Sequence, residues 1–185
     1  MIFTVFEDKN YTSLFPLNLN RTSFELRCGA FTNLERIENL LSPDDTVQLV
    51  VRDELVPLVQ ERFPNIAINP DLLSRGIWLN GAGLWTEKIL KNLTSGKSYT
   101  KNGIVMAMYN NDAIPLSDFQ PYLDKANLVS TEIDIQFMEN IWEGIFLQSD
   151  VITSDAKYFI EYNQGKIHPS VAIENGDNIF IGNDS

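Results

Sequence analysis

The chain has 185 residues, 44% of them hydrophobic, and carries 25 acidic against 14 basic side chains for a net charge of −11. That length sets one domain with at most a short appendage, and the acidic balance, without a Lys/Arg run, excludes a nucleic-acid-binding surface. Its apolar runs fall far short of the roughly 20 residues that cross a bilayer, residues 1–8 lack the basic start of a signal peptide, and the single Cys28 leaves no internal disulfide, as in a reducing cytoplasm.

In chain order, residues 2–6 alternate and are β-branched or aromatic, which predicts a first strand. A loop follows over 11–20, through Leu14-Phe15-Pro16-Leu17. Thr32-Asn33-Leu34-Glu35 matches a capping box, and Leu34, Ile37, Leu40 and Leu41 fall at helical spacing, predicting a helix over 33–41. Ser42-Pro43-Asp44-Asp45 is a turn signal. The apolar run 47–51 predicts a strand buried on both faces. Asp53 is placed to cap a helix running to Arg62, with Pro57 tolerated in its first turn.

Residues 77–81 predict a strand ending in a turn, 84–93 a helix, and 103–109 another buried strand. Ser117-Asp118-Phe119-Gln120 suggests a second capping box before a short helix to Ala126. Met138, Ile141, Trp142, Ile145 and Phe146 recur as one helical face, which makes Trp142 a core residue. Ile152, Ala156, Phe159 and Ile160 give a second face. Strands alternating with helices predict an α/β fold with a mostly parallel mixed sheet covered on both sides.

The tail has another period. Ile167, Ile173 and Ile179 stand six residues apart, which fits neither helix nor strand but suits a hexapeptide β-helix with one aliphatic per side of its prism. Residues 164–185 are therefore expected to form the first coil of a left-handed β-helix. Residues 1–163 form the α/β domain.

This layout resembles the sugar nucleotidyltransferases related to the bifunctional N-acetylglucosamine-1-phosphate uridyltransferase/glucosamine-1-phosphate acetyltransferase, in a divergent bacterial branch. The likeness rests on the first strand, Leu14-Phe15-Pro16-Leu17, Asn20-Arg21-Thr22, Leu26-Arg27-Cys28-Gly29, Leu79-Asn80-Gly81-Ala82, the segment around Trp142 and the tail. It implies a nucleotide-diphospho-sugar transferase-like (Rossmann-like) fold, a nucleotide or sugar phosphate as partner, Mg²⁺ as the metal if the chain is catalytically active, and trimerisation through a full-length β-helix.

Three departures imply a degenerate site. The family's glycine-rich phosphate loop is replaced by Glu7-Asp8-Lys9-Asn10-Tyr11-Thr12-Ser13, without glycine. No lysine follows Arg21, where Thr22-Ser23-Phe24 stands. Ala82 occupies the place of a magnesium-binding aspartate, and alanine offers a hard cation no oxygen. Two other readings stay open: an active divergent sugar-1-phosphate nucleotidyltransferase using Asp8 or Asp112 for magnesium, and a structural or oligomerisation module.

No catalytic residue is assigned. Arg21 and Arg27 are candidate phosphate or carboxylate ligands, or else pin the first loop to Glu7, Asp8 or Glu25; Arg52 and Arg75 are further cations that a local phosphate site would draw on. Asn80 and Gly81 end a strand where open α/β sheets bind ligands, and Trp85 is the candidate stacking ring. His168 reads as a solvent-facing turn residue, and Cys28 as a buried structural thiol.

Overall fold

In the computed structural model, residues 1–159 and 165–182 are described. They form, in order, β1 (Ile2–Phe6), β2 (Arg27–Cys28), β3 (Phe31–Thr32), α1 (Asn33–Glu38), β4 (Thr46–Val50), α2 (Val56–Arg62), β5 (Ala67–Ile68), β6 (Leu72–Leu73) and β7 (Gly76–Asn80). Then follow α3 (Glu87–Lys91), β8 (Ser98–Lys101), β9 (Ile104–Asn110), β10 (Ile114–Pro115), α4 (Phe119–Leu128), β11 (Thr131–Glu132), α5 (Glu143–Phe146) and α6 (Gln148–Asp155). Among the described residues, seven strands make one mixed sheet in the order β11-β8-β9-β7-β1-β4-β5. β1 pairs in parallel with both β4 and β7, β4 with β5, and β8 with β11; β9 is antiparallel to β7 and β8. The expected α/β architecture with a mostly parallel sheet is therefore present.

Both faces are covered, as the apolar runs require. On one face Phe3, Val5, Leu49 and Leu79 pack with Leu34 and Ile37 of α1, Val59 of α2 and Trp85. On the other, Phe6, Val50, Trp78 and Met108 pack with Phe119 and Leu123 of α4. Each fully buried side chain of this size contributes about 1.5–3 kcal/mol. Gly76 lets β7 approach β1 closely: its φ is +151°, and a Cβ there would lie 2.0 Å from the Ile2 carbonyl oxygen.

The predicted start of α1 is realised. Thr32 Oγ1 accepts from the Glu35 N–H while the Glu35 side chain accepts from the Thr32 N–H. The helix stops at Glu38 rather than Leu41. The predicted helix over 84–93 shrinks to α3, capped by Thr86, because Leu84 and Trp85 are drawn into the core. At 117–120 no side-chain cap forms. A 3₁₀ turn over Leu116–Asp118 leads directly into α4.

The face expected from Met138 to Phe146 does not form. Met138 is held in extended chain, its N–H donating to the Ala82 carbonyl at 2.9 Å, so helical geometry begins only at α5. Trp142, Ile145 and Phe146 are consequently 50%, 75% and 76% exposed, and Trp142 is not a core residue. In α6 the buried face is Val151 and Asp155, not Ile152, which is 50% exposed. The reason is electrostatic. Asp155 turns inward to meet Arg36 at 2.5 Å, rotating Ile152 outward. Ile160 lies outside the described residues.

Among the described tail residues, 165–182, there is one 3₁₀ turn at Gly176–Asn178 and no strand. Ile167 and Ile179 are each 41% exposed and Ile173 is half-buried. Among the described residues no helix is long and apolar enough to cross a membrane.

Candidate functional site

The strand order creates the site. From β1 the chain moves outward through α1 to β4 and through α2 to β5, then returns to β7 on the other side of β1. The loops leaving β1 and β7 thus diverge, and a crevice opens over their carboxyl ends, the place where open α/β sheets take ligands. Asp8 stands just past β1 and Asn80 ends β7, so residues 72 apart in sequence meet there.

Asn80 is 1% exposed and its amide is fully engaged. Its Nδ2 donates to Asp8 Oδ2 at 2.7 Å and to the Val105 carbonyl at 3.0 Å, and its Oδ1 accepts from the Ala82 N–H at 2.9 Å. Its carbonyl oxygen accepts from Trp85 Nε1 at 3.0 Å. Trp85 is 1% exposed, so its ring has no face open for a ligand and the stacking role expected of it is withdrawn. Gly81 is buried too. Its carbonyl accepts from Asn33 Nδ2 at 2.9 Å, and a Cβ there would meet the Phe24 Cβ at 2.7 Å. Asn80 and Gly81 are thus buried behind the crevice and line it at no point, so neither offers a group to a ligand there.

Asp8 is half-buried at the crevice, and its Oδ1 accepts from the Asn10 N–H at 2.7 Å. The crevice, a narrow one of about 20 Å³, is lined by Asp8, Ser13, Ser23, Ala82 and Glu139, among others. An adjoining groove of about 50 Å³ shares Asp8 and carries Lys9 and Asp124 at its rim. Lys9 pairs with Asp124 at 3.2 Å. The local balance is acidic, and Ser23 Oγ is buried without a hydrogen-bond partner among the described residues.

The loop over 10–25 is held by two ion pairs that the sequence does not reveal. Arg52 reaches Glu7 at 2.6 Å, donates to the Asn18 and Arg21 carbonyls, and lies 4.5 Å from the centre of the Tyr11 ring. Arg62 reaches Glu25 at 2.7 Å and the Asn20 carbonyl at 3.0 Å. Glu25 closes a capping box with Thr22. The Thr22-Ser23-Phe24-Glu25 spacing was the available signal for that box; nothing local marks the arginine partners.

Arg52 is therefore a structural cation, not a phosphate ligand. Arg27 donates to the Ala30 carbonyl and lies 3.4 Å from Glu35, steadying the β2–β3 hairpin. Arg21 is exposed, and its guanidinium makes no ion pair among the described residues. Arg75 adjoins Gly76 at the amino end of β7, away from the crevice. Asp112 lies past the end of β9 that pairs with Gly76, roughly 20 Å along the strand from the Asp8 end at about 3.3 Å per residue. Asp8 and Asp112 cannot share a metal ion.

The residues do not fit a resident Mg²⁺. Ala82, not a carboxylate, lines the crevice, both Asp8 oxygens are engaged, and no cluster of three His, Cys, Asp or Glu occurs among the described residues. His168 is exposed, its Nδ1 hydrogen-bonded with Ser170. Cys28 is buried, and that burial pushes its thiol pKa up, keeping it protonated.

Burial pushes the Glu7 carboxyl above its ordinary value, against the pull of Arg52 and the Ser23 N–H. A raised carboxyl pKa means that the folded chain holds the proton more tightly than the unfolded one. Its stabilising contribution is complete below pH 4.5 and is lost as pH rises through the raised value. Urea unfolding of Glu7→Gln should therefore improve relative to the parent chain between pH 4 and pH 7, as expected from the direction of the shift. A difference that stays flat or moves the other way contradicts this.

A family model described as sugar nucleotidyl transferase matches residues 3–163. No curated protein matches the chain. Among solved structures, one similar chain is a Bacillus anthracis protein provisionally assigned as a glucose-1-phosphate thymidylyltransferase, in complex with a sucrose. It is 9% identical with a TM-score of 0.48, over 90% of this chain and 98% of that one. Another is the CTP:phosphocholine cytidylyltransferase of Streptococcus pneumoniae, 11% identical with a TM-score of 0.46, over 80% of this chain and 98% of that one. With the match running from the first strand past the Asp155 helix, the chain belongs to the sugar nucleotidyl transferase family.

Proposed function

We propose that residues 1–163 are a sugar nucleotidyltransferase-like domain with a degenerate active site. The domain binds a nucleotide or sugar phosphate weakly in the crevice over β1 and β7, or positions a downstream β-helix acyltransferase domain of which residues 164–185 are the first coil. The observation that carries this reading is what faces the crevice: Ala82 beside two carboxylates, Asp8 and Glu139, that already accept hydrogen bonds from the chain, with no guanidinium among the lining residues. Phosphoryl transfer depends on metal and cationic stabilisation of the transferring oxygens, and this lining supplies neither. Lys9, between the lining residues Asp8 and Asn10, is paired with Asp124; Arg21, two residues before Ser23, is the cation next in line and makes no ion pair among the described residues.

The period-six tail supports the kinship with the bifunctional uridyltransferase/acetyltransferase. An isolated coil lacks the neighbouring coils that would cover Ile167 and Ile179. Sedimentation of a chain carrying further coils is expected to show a trimer. The unpaired, buried Cys28 fits a cytoplasmic setting.

Calorimetry against UTP, UDP-N-acetylglucosamine and sugar 1-phosphates tests the binding reading. Millimolar affinity, weakened in Arg21→Gln, is expected; no heat and no thermal shift with any of them at millimolar concentration removes small-molecule binding. A pyrophosphate-release assay with Mg²⁺ and a panel of donors should give no turnover. Turnover abolished by Asp8→Asn would instead establish an active divergent enzyme.

A further inference from the structure

The end of the sheet opposite the crevice carries the opposite charge. There β9 finishes between two neighbours: Asn110 pairs with Gly76 of β7, and the Tyr109 N–H donates to the Lys97 carbonyl at 2.9 Å on the β8 side. Two clefts, of about 480 Å³ and 320 Å³, meet at this point and share Tyr109 and Asn111 as lining residues. Arg75 lines the first, and Lys125 lines the second. Lys97 sits between Gly96 and Ser98, both of which line the second cleft. Arg75 and Lys97 thus flank β9 from either side, their backbones roughly 10 Å apart across two strand spacings.

None of these three cations makes an ion pair among the described residues. In a chain with 25 acids and 14 bases, most arginines find a carboxylate; Arg75 and Lys125 line clefts whose one lining acid is Asp112, and Lys97 is exposed beside the second. The uncharged groups add donors. Asn111 Oδ1 accepts from Ser95 Oγ at 3.0 Å, leaving its Nδ2 without a partner, and the half-buried Tyr109 hydroxyl has none among the described residues. A groove with cations and free N–H and O–H donors is complementary to an anion, and its size lies within the range of small-molecule sites.

We propose that this groove binds the phosphoryl group of a small phosphomonoester or diphosphate, at a site separate from the crevice. Arg75 offers a fork to two phosphate oxygens, Lys97 and Lys125 supply point charges, and Asn111 and Tyr109 fix orientation. Charge attraction brings the ligand to this end of the molecule.

The test is an amide NMR titration of the whole chain with inorganic phosphate, pyrophosphate and glucose 1-phosphate. Shifts are expected at residues 75–76, 95–98, 109–112 and around 125, weakening as salt is raised. The exposed double variant Arg75→Gln/Lys97→Gln should keep the parent melting temperature and lose about tenfold or more in affinity, as removal of two charge-assisted contacts implies. Lys88→Gln, on α3, is the control and should bind as the parent does. Tighter binding of glucose 1-phosphate than of inorganic phosphate identifies an organic phosphomonoester as ligand; equal binding identifies free phosphate. Absence of shifts at these residues at millimolar ligand overturns the proposal, as does an equal loss in Lys88→Gln, which would mean diffuse attraction only. Shifts at Asp8 and Ser23 report the crevice separately, so failure here leaves the reading of that site untouched.

Discussion

Arg52→Met is expected to destabilise the chain by about 3–5 kcal/mol, the cost of leaving one partner of a buried ion pair behind. The Arg52 side chain is 11% exposed and that of Glu7 only 1%, so water cannot replace the lost contact. Glu7 Oε2 already lacks a hydrogen bond among the described residues, which leaves Oε1 with the Ser23 N–H alone among them once Arg52 is gone. The same substitution frees the Asn18 and Arg21 carbonyls and uncovers the Tyr11 ring. The loop over 10–25 forms part of the crevice wall, so this loss should appear twice. Urea unfolding should shift to lower midpoint, and proteolysis should cut first within 10–25. Adding Glu7→Gln to Arg52→Met should restore part of the stability, because the orphaned charge disappears. A double variant no more stable than Arg52→Met alone would refute the ion-pair account and point to packing on Tyr11 instead.

Asp155→Ala should cost a similar amount, about 3–5 kcal/mol by the same argument. Asp155 receives Arg36 through two contacts, at 2.5 and 3.0 Å, and its Oδ2 also accepts from the Ala30 N–H at 2.9 Å. Arg36 Nη2 donates in addition to the Cys28 carbonyl at 2.8 Å. One carboxylate thus joins α1, the β2–β3 hairpin and α6. Gly29 lies against it: a Cβ at that residue would meet Asp155 Oδ2 at 2.4 Å, and its φ of +76° disfavours any side chain. Asp155→Asn keeps an oxygen for the Ala30 N–H and should cost less than the alanine. Hydrogen exchange supplies the readout: in Asp155→Ala the amides of 148–155 and 27–32 should lose protection together while those of β1 and β7 keep theirs. Unchanged exchange in α6 would contradict the anchoring role.

These two pairs show where reading the chain alone runs out. Arg36 and Asp155 are 119 residues apart, and Arg52 and Glu7 are 45 apart. Nothing near Arg52 distinguishes it from Arg21 or Arg27, yet it alone of the three lies in a buried pair with Glu7 because β4 pairs with β1 and ends level with it. The loop was expected to be pinned by its own arginines; it is pinned by arginines from the segments after β4 and in α2. Asn80 was legible as a residue at the carboxyl end of a strand, but its partner Asp8 was not, since that meeting needs β1 and β7 side by side.

The secondary elements divide in the same way. Apolar runs marked β4, β7 and β9 because strands buried on both faces carry little polar sequence. The short edge strand β11 and the polar β8 lack that mark, although Asn102-Gly103 between β8 and β9 is the dipeptide of a two-residue hairpin turn, with φ of 52° and 75°. Helical spacing marked 138–146 as one face, and the spacing was real, but Met138 belongs to an extended segment bonded to Ala82.

The amino-acid sequence by itself determined the α/β class, the buried strands, the capped start of α1, the absence of glycine over residues 7–13 and the alanine at residue 82, because each is a local matter of composition, period or residue type. The tertiary structure alone decided which acid meets which arginine, that Trp85 is sealed and Trp142 exposed, and that Asp8 and Asp112 stand at opposite ends of the sheet. Those are consequences of strand order, which brings distant residues together through hydrogen bonds that every sequence can make.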